Sequence, residues 1–176
     1  MSKAQDEAMV RRIREIHREI DLLAQGVAGQ YLTEGGKLVC RRGCDSCCTD
    51  DLTVFEVEAE RIRDEFGALL EGGTPRAPGA CAMLDDEGGC RIYGARPYVC
   101  RTQGLLLRWF EEDDDDNVLE YRDICPLNDD GASLELRSDA SCWTIGPFEE
   151  RISALQEAAD GGEMRRIALR DLFGPR

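Results

Sequence analysis

The chain has 176 residues, nine of them cysteine, and a formal net charge of −14. That length suits one compact domain able to bury its own core, so disulfide staples are not required. The charge argues against nucleic acid as a partner, because phosphate contacts need a basic face and the basic runs here (RRIREIHR, KLVCRRGC, EMRRIALR) are short and mixed with acids.

The opening segment MSKAQDEAMVRRIREIHREI is charged throughout, with no apolar stretch or small-residue cleavage site, so no secretory signal is expected. No run reaches the ~18 apolar residues of a membrane span. Both point to a cytoplasmic location, where thiols stay reduced and cysteine clusters read as metal-binding or catalytic. Within residues 4–32, Ile13, Ile16, Ile20, Leu23 and Val27 recur at spacings of three and four, which predicts one long amphipathic helix. Its narrow apolar stripe suits packing on the core or on a partner helix. His17, the only histidine, stands beside the stripe among Arg and Glu and is expected on the helix surface. TEGGK at 33–37 ends the helix.

DLTVFEVEAERIRDEFGALLEG predicts a short extended piece and then a helix from Glu56 to Leu70, with Val57, Ile62, Phe66 and Leu69 or Leu70 buried. GGTPRAPGA is a loop by its Gly and Pro content. CAMLDDEGGCRIY predicts a hairpin that brings Cys81 and Cys90 together across its strands. Pro97 predicts irregular chain in GARPYVCRTQG. LLLRWFEEDDDDNVLEYRDICPLND predicts an extended pair around the acidic run 111–116, which lacks the alternating oxygen ligands and central glycine of a calcium loop. GPFEERISALQEAA and GEMRRIALRDLF predict two helices divided by Gly161 and Gly162.

The stretch CRRGCDSCC (40–48) holds four thiols in nine residues. On a helix, Cys40, Cys44, Cys47 and Cys48 would share one face, as buried core thiols do. Gly43 and the turn-forming Asp45-Ser46 pair oppose a helix there. Cys44-x-x-Cys47 is the spacing at which a tight turn directs two thiolates at one ion, and Cys40 or Cys48 can close toward the same site. Adjacent side chains point in different directions, so Cys47 and Cys48 suit different ions or different corners of one polynuclear cluster. A closed zinc or iron–sulfur site commonly takes four sulfurs, so the thiols make one such site with spares or two with one left over. The favoured ligands are Cys40, Cys44, Cys47, Cys48, Cys81, Cys90 and Cys100. Cys125, in DICPLN, comes next, because the following proline removes a competing backbone donor. Cys142 is at least as well explained by packing beside Trp143.

CRRGCDSCC, then EAERI with Glu58 ten residues after Cys48, then CAMLDDEGGCRIYGARPYVCR, resembles the YkgJ-type cysteine-cluster family, the zinc- or iron-chelating CxxCxxCC domain. The resemblance covers roughly residues 38–103 and extends toward Cys125. It rests on the quartet containing the CC pair, the Cys…Cys hairpin and Tyr93-x-x-Arg96-Pro97-x-x-Cys100-Arg101. Cys40-x-x-x-Cys44 departs by one residue from the family's CxxC label. The resemblance implies binding of a metal or an iron–sulfur cluster, and a similar domain accompanies flagellin lysine methylation. Arg96 and Arg101 flank Cys100, and Arg91 follows Cys90. Guanidinium donors there would offset sulfur charge and hydrogen-bond a bound cluster without ligating it, or simply pair with the acidic surface. Tyr93 reads as core. Glu58 reads as a cap, an oxygen ligand or, preferably, an arginine partner.

The expected fold is mainly α with a short β-hairpin. It is a small irregular metal-stabilised Cys-cluster domain (35–145) flanked by an N-terminal amphipathic helix packed on it (1–34) and a C-terminal helical segment (146–176). The expected function is that of a cytoplasmic metal-binding protein holding an iron–sulfur cluster or iron through cysteine thiolates, with zinc the alternative. Two other classes stay open. One is a metalloenzyme, redox or protein-modifying, as in flagellin lysine methylation. The other is a zinc-stapled interaction module with a protein partner on the N-terminal helix. Neither nucleic acid nor membrane is an expected partner.

Overall fold

A computed structural model describes residues 3–174. The N-terminal periodicity produces α1, Lys3–Thr33, which buries Ile13, Ile16 and Ile20. Of the predicted stripe only Leu23 faces outward; Ala24, Val27 and Ala28 continue it at the edge of the core, and Tyr31 is buried. The stripe is covered by the chain's own residues: Val57, Tyr98, Trp143, Phe148 and Ile152 close over it. The apolar face proposed for a protein partner is thus already spent on the core. Among the described residues no helix is long and apolar enough to cross a membrane.

Strand β1 (Thr53–Phe55) leads into α2 (Glu56–Gly72), which turns Val57, Ile62 and Leu70 inward and kinks at Phe66. A 3-10 turn at Tyr93–Ala95 and a short helix α3 (Tyr98–Thr102) follow. The chain here is more regular than Pro97 suggests: its φ of −65° is already helical, and α3 starts directly after it. Strands β2 (Leu107–Glu112) and β3 (Val118–Asp123) form the antiparallel pair that brackets the acidic turn, with Trp109 stacked on Tyr121. β4 (Trp143–Thr144) adds to β2 in parallel. Helix α4 (Pro147–Asp160) then packs on α1.

Two expectations fail. The hairpin over 81–93 is reduced to one bridge, Leu84 with Cys90, and a turn closed by Asp85 N–H to the Gly89 carbonyl. The Cys81 carbonyl accepts from Leu84 N–H, so the first arm curls before it can ladder. The last segment is not a second helix. Gly161, Gly162 and Met164 all take positive φ, which turns the chain, and Arg166–Ala168 becomes β5. β5 pairs antiparallel with β1, Val54 opposite Ile167, and a 3-10 turn at Leu169–Leu172 follows. The result is helix-rich, with a two-stranded and a three-stranded sheet. A second core forms from Val54, Ile62, Leu70, Met83, Ile92 and Leu169, with Cys81 inside it and Cys48 and Cys90 packed at its edge.

Candidate metal centre

The cysteine stretch is two consecutive reverse turns. Cys44 N–H donates to the Arg41 carbonyl at 3.0 Å, and Cys48 N–H to the Asp45 carbonyl at 2.8 Å. Gly43, at φ +85°, supplies the positive φ that the third position of a type II turn demands. No helix forms, so the four thiols do not share one core-facing stripe. All nine cysteines are free.

The second turn leads inward. Cys81 N–H donates to the Cys48 carbonyl at 2.9 Å, and the bridge from Leu84 then delivers Cys90. Cys100 comes from α3, where Arg96 Nη1 donates to its carbonyl at 3.3 Å. The thiols of Cys48, Cys81 and Cys90 all act electrostatically on Cys100. Burial pushes the Cys48 thiol up to about 12 and raises Cys81, Cys90 and Cys100 as well, while Arg91 and Arg96 pull Cys90 back. Arg170 holds this neighbourhood from behind. It pairs with Asp50, two residues past Cys48, and donates to the carbonyls of Arg76 and of Ala80, the residue before Cys81.

A second neighbourhood lies outward. Cys47 is exposed as a residue, yet partial burial of its thiol, with Cys125 and Cys40 nearby, raises its pKa. Cys40 and Cys47 are exposed, and Cys44 and Cys125 half-buried. Asn128, fully buried, organises it: its Nδ2 donates to Cys40 Sγ at 3.3 Å and to the Gly104 carbonyl at 2.7 Å, and its Oδ1 accepts from Val39 N–H. Asn128 N–H in turn donates to the Cys125 carbonyl at 2.7 Å, and Tyr31 Oη to the Asn128 carbonyl. Gly104 sits at φ +92°, and a Cβ there would lie 2.7 Å from Cys40 Sγ. Cys47 and Cys48, whose thiols meet, link the two neighbourhoods. Nothing in the sequence marks Asn128, Gly104 or Arg170, because each acts through contacts more than sixty residues away.

Other expected roles move. Arg101 is buried, but its Nη1 donates to Asp21 at 2.6 Å and its Nη2 to the Gly94 carbonyl, while its Nε has no partner. Arg91 serves backbone carbonyls at Thr74, Ala82 and Met83. Tyr93 is not core: it is 62% exposed, with the Arg96 guanidinium 3.6 Å above its ring. Glu58 is buried but takes no arginine, accepting instead from Tyr98 N–H at 2.7 Å and from His17. His17 is not on the surface. It is fully buried between Glu58 and Arg61. Cys142 packs with Tyr31, Leu106 and Ile124.

The donor chemistry fits a soft or borderline metal ion: eight thiols between Cys40 and Cys125, with cationic and amide donors beside some of them. Among the described residues no three His, Cys, Asp or Glu side chains are already gathered into a group that could hold an ion. Two clefts open beside α1 and α2, and neither is lined by a cysteine.

Comparison with known families gives one match. The CxxCxxCC family, described as a "putative zinc- or iron-chelating domain", matches residues 39–126. The match takes in the eight cysteines from Cys40 to Cys125 and leaves Cys142 outside. No curated protein and no solved structure matches the chain.

Proposed function

We propose, from the premise that this chain belongs to the CxxCxxCC family of zinc- or iron-chelating domains, that it holds iron, as an iron–sulfur cluster or as thiolate-bound iron, through Cys40, Cys44, Cys47, Cys48, Cys81, Cys90, Cys100 and Cys125. The observation that carries this reading is that the matched span takes in eight of the nine cysteines, Cys40 to Cys125, all free, with Cys100 on α3 and the others outside the helices. Iron is favoured over zinc by the adjacent Cys47 and Cys48, which suit separate corners of a polynuclear centre. Nine unpaired thiols suit a reducing compartment such as the cytoplasm.

A metal held by these thiols would tie together the loops 34–52 and 73–92, so its binding would add to the stability of the fold. When bound, the metal supplies a positive charge that lets buried thiols ionise. The chain's own residues then position the sulfurs. Arg170 fixes the turns before Cys81 and after Cys48, Arg96 holds the Cys100 carbonyl, and Asn128 donates to Cys40.

The test is anaerobic purification, with an absorption spectrum and iron, zinc and acid-labile sulfide measured on one sample. Brown protein with iron and sulfide in near-equal amounts is the expected result. Colourless protein with stoichiometric zinc and no sulfide would overturn the iron reading and leave the family's chelating role to zinc.

A further inference from the structure

We propose that the β2–β3 ribbon is a docking surface for a second protein, from which it takes an extended segment carrying lysine or arginine between apolar side chains. The surface is independent of the thiol chemistry and uses none of the cysteines.

Strand register builds it. Trp109 pairs with Tyr121 and Glu111 with Leu119, so these four residues share one side of the ribbon. Leu107, on the same side, packs against the core that holds Ile13 and Trp143. Beyond Leu107 the apolar row runs out of the core. The Trp109 and Tyr121 rings stack with centroids 5.6 Å apart, and Leu119 follows, with Tyr121 39% and Leu119 41% exposed. The inner end of the opposite side is already engaged, because Arg108 bonds Thr144 and Asp139, and Arg122 bonds the Leu134 and Arg137 carbonyls. In the sheet order β3-β2-β4, β3 is the outer strand, and no described strand pairs with its far edge. An open strand edge beside an apolar row is the arrangement by which a sheet accepts an extended peptide. Edge amides and carbonyls pair with the added strand, and its alternate side chains rest on the row.

Charge selects the occupant. Residues 107–123 hold eight acids and only two arginines, both tied to neighbours as above. Asp113 makes the turn, its Oδ1 accepting from the N–H groups of Asp115 and Asn117. The side chains of Glu112, Asp114, Asp115 and Asp116 take no part in that turn and, among the described residues, meet no cation. Such a tip repels nucleic acid, an anionic lipid surface and a second copy of this chain, itself at −14. It attracts a basic segment, whose charges reach the tip while its apolar side chains cover Tyr121 and Leu119.

The experiment titrates the full reduced chain into a fluorescein-labelled peptide of alternating lysine and valine, about ten residues long. Alternating lysine–glycine and glutamate–valine peptides of the same length run beside it. Anisotropy reports binding at low and high salt, and hydrogen exchange maps the protected residues. The lysine–valine peptide is expected to bind, to weaken as salt rises and to slow exchange across 107–123. The lysine–glycine peptide should bind about tenfold more weakly, and the glutamate–valine peptide not at all. Tyr121→Ser with Leu119→Ser, and separately Asp114→Asn with Asp115→Asn and Asp116→Asn, should each weaken binding about tenfold. These side chains are exposed, so the fold should survive both sets, and the peptide series on the unsubstituted chain decides the matter if it does not. No binding of the lysine–valine peptide, equal binding of the lysine–glycine peptide, or protection away from 107–123 would each overturn the proposal. So would concentration-dependent pairing of the chain through the same residues without peptide, which would make a second copy the occupant.

Discussion

The proton on His17 is placed by its neighbours. Arg61 Nη1 donates to Nδ1 at 2.7 Å, so the ring carries its hydrogen on Nε2, which donates to Glu58 Oε1 at 3.1 Å. Burial lowers the His17 pKa below 6.5, and the cations Arg101 and Arg61 add to this, against the pull of Glu58. The unfolded chain therefore takes up a proton near pH 6.5 that the folded chain refuses, and stability falls as pH drops below that value. The slope is at most one proton, about 1.4 kcal/mol per pH unit. Urea midpoints measured between pH 5 and 7 should show it, and His17→Leu should flatten it while lowering stability by about 1–3 kcal/mol through the bonds lost at Glu58 and Arg61. An unchanged slope in that variant would assign the effect to other groups. This residue was legible: His17 lies four after Ile13 and three before Ile20, on the buried stripe itself, and its polarity alone argued for the surface. Glu58 was harder, because its partners lie 40 and 41 residues away.

At the scale of elements, local period was a sound guide and closure was not. α1, α2 and the β2–β3 pair follow from spacing and turn residues within each segment. β5 could not be read this way. Its residues make a fair helical pattern, and what overrides it is a strand 113 residues earlier that has an edge to fill, together with the positive φ at Gly161, Gly162 and Met164. The thiol groups were hidden for the same reason, since loops carry no period. The 3-10 turn that follows β5 brings Arg170 to the cysteine loops, which makes a testable claim about this element. Arg170→Gln should cost about 1–2 kcal/mol by leaving the Arg76 and Ala80 carbonyls poorly paired. Arg170→Lys should not restore it, because an ammonium cannot span both carbonyls and Asp50 as a planar fork does. Chemical denaturation of the three proteins under one metal load checks this, and full rescue by lysine would reduce the contact to simple charge.

For the whole molecule, 36 acidic residues against 22 basic ones make the compact state repel itself. The ion pairs seen, Arg14 with Asp64 and Glu65, Arg63 with Glu56 and Glu60, Arg151 with Glu19, are mostly at the surface and weakly stabilising. Removing metal should therefore not unfold the chain uniformly. The helical part around Ile13, Trp143 and Ile152 has its own apolar core, whereas the stretch 40–48 is held mainly by turns, with only Cys48 packed on the second core. Trypsin acting after chelation is expected to cut first behind Arg41, Arg42 and Arg76, with α1 and α4 surviving longer; equal cutting everywhere would show one cooperative unit. The place of Arg170 in the chain has a further consequence, which concerns synthesis. A ribosome delivers all nine cysteines before it delivers the arginine that fixes the inner turns and the strand that pairs with β1. Through most of translation the thiols are on hand while their frame is not, so the cysteine loops take their final arrangement only once residues 166–170 have emerged and docked.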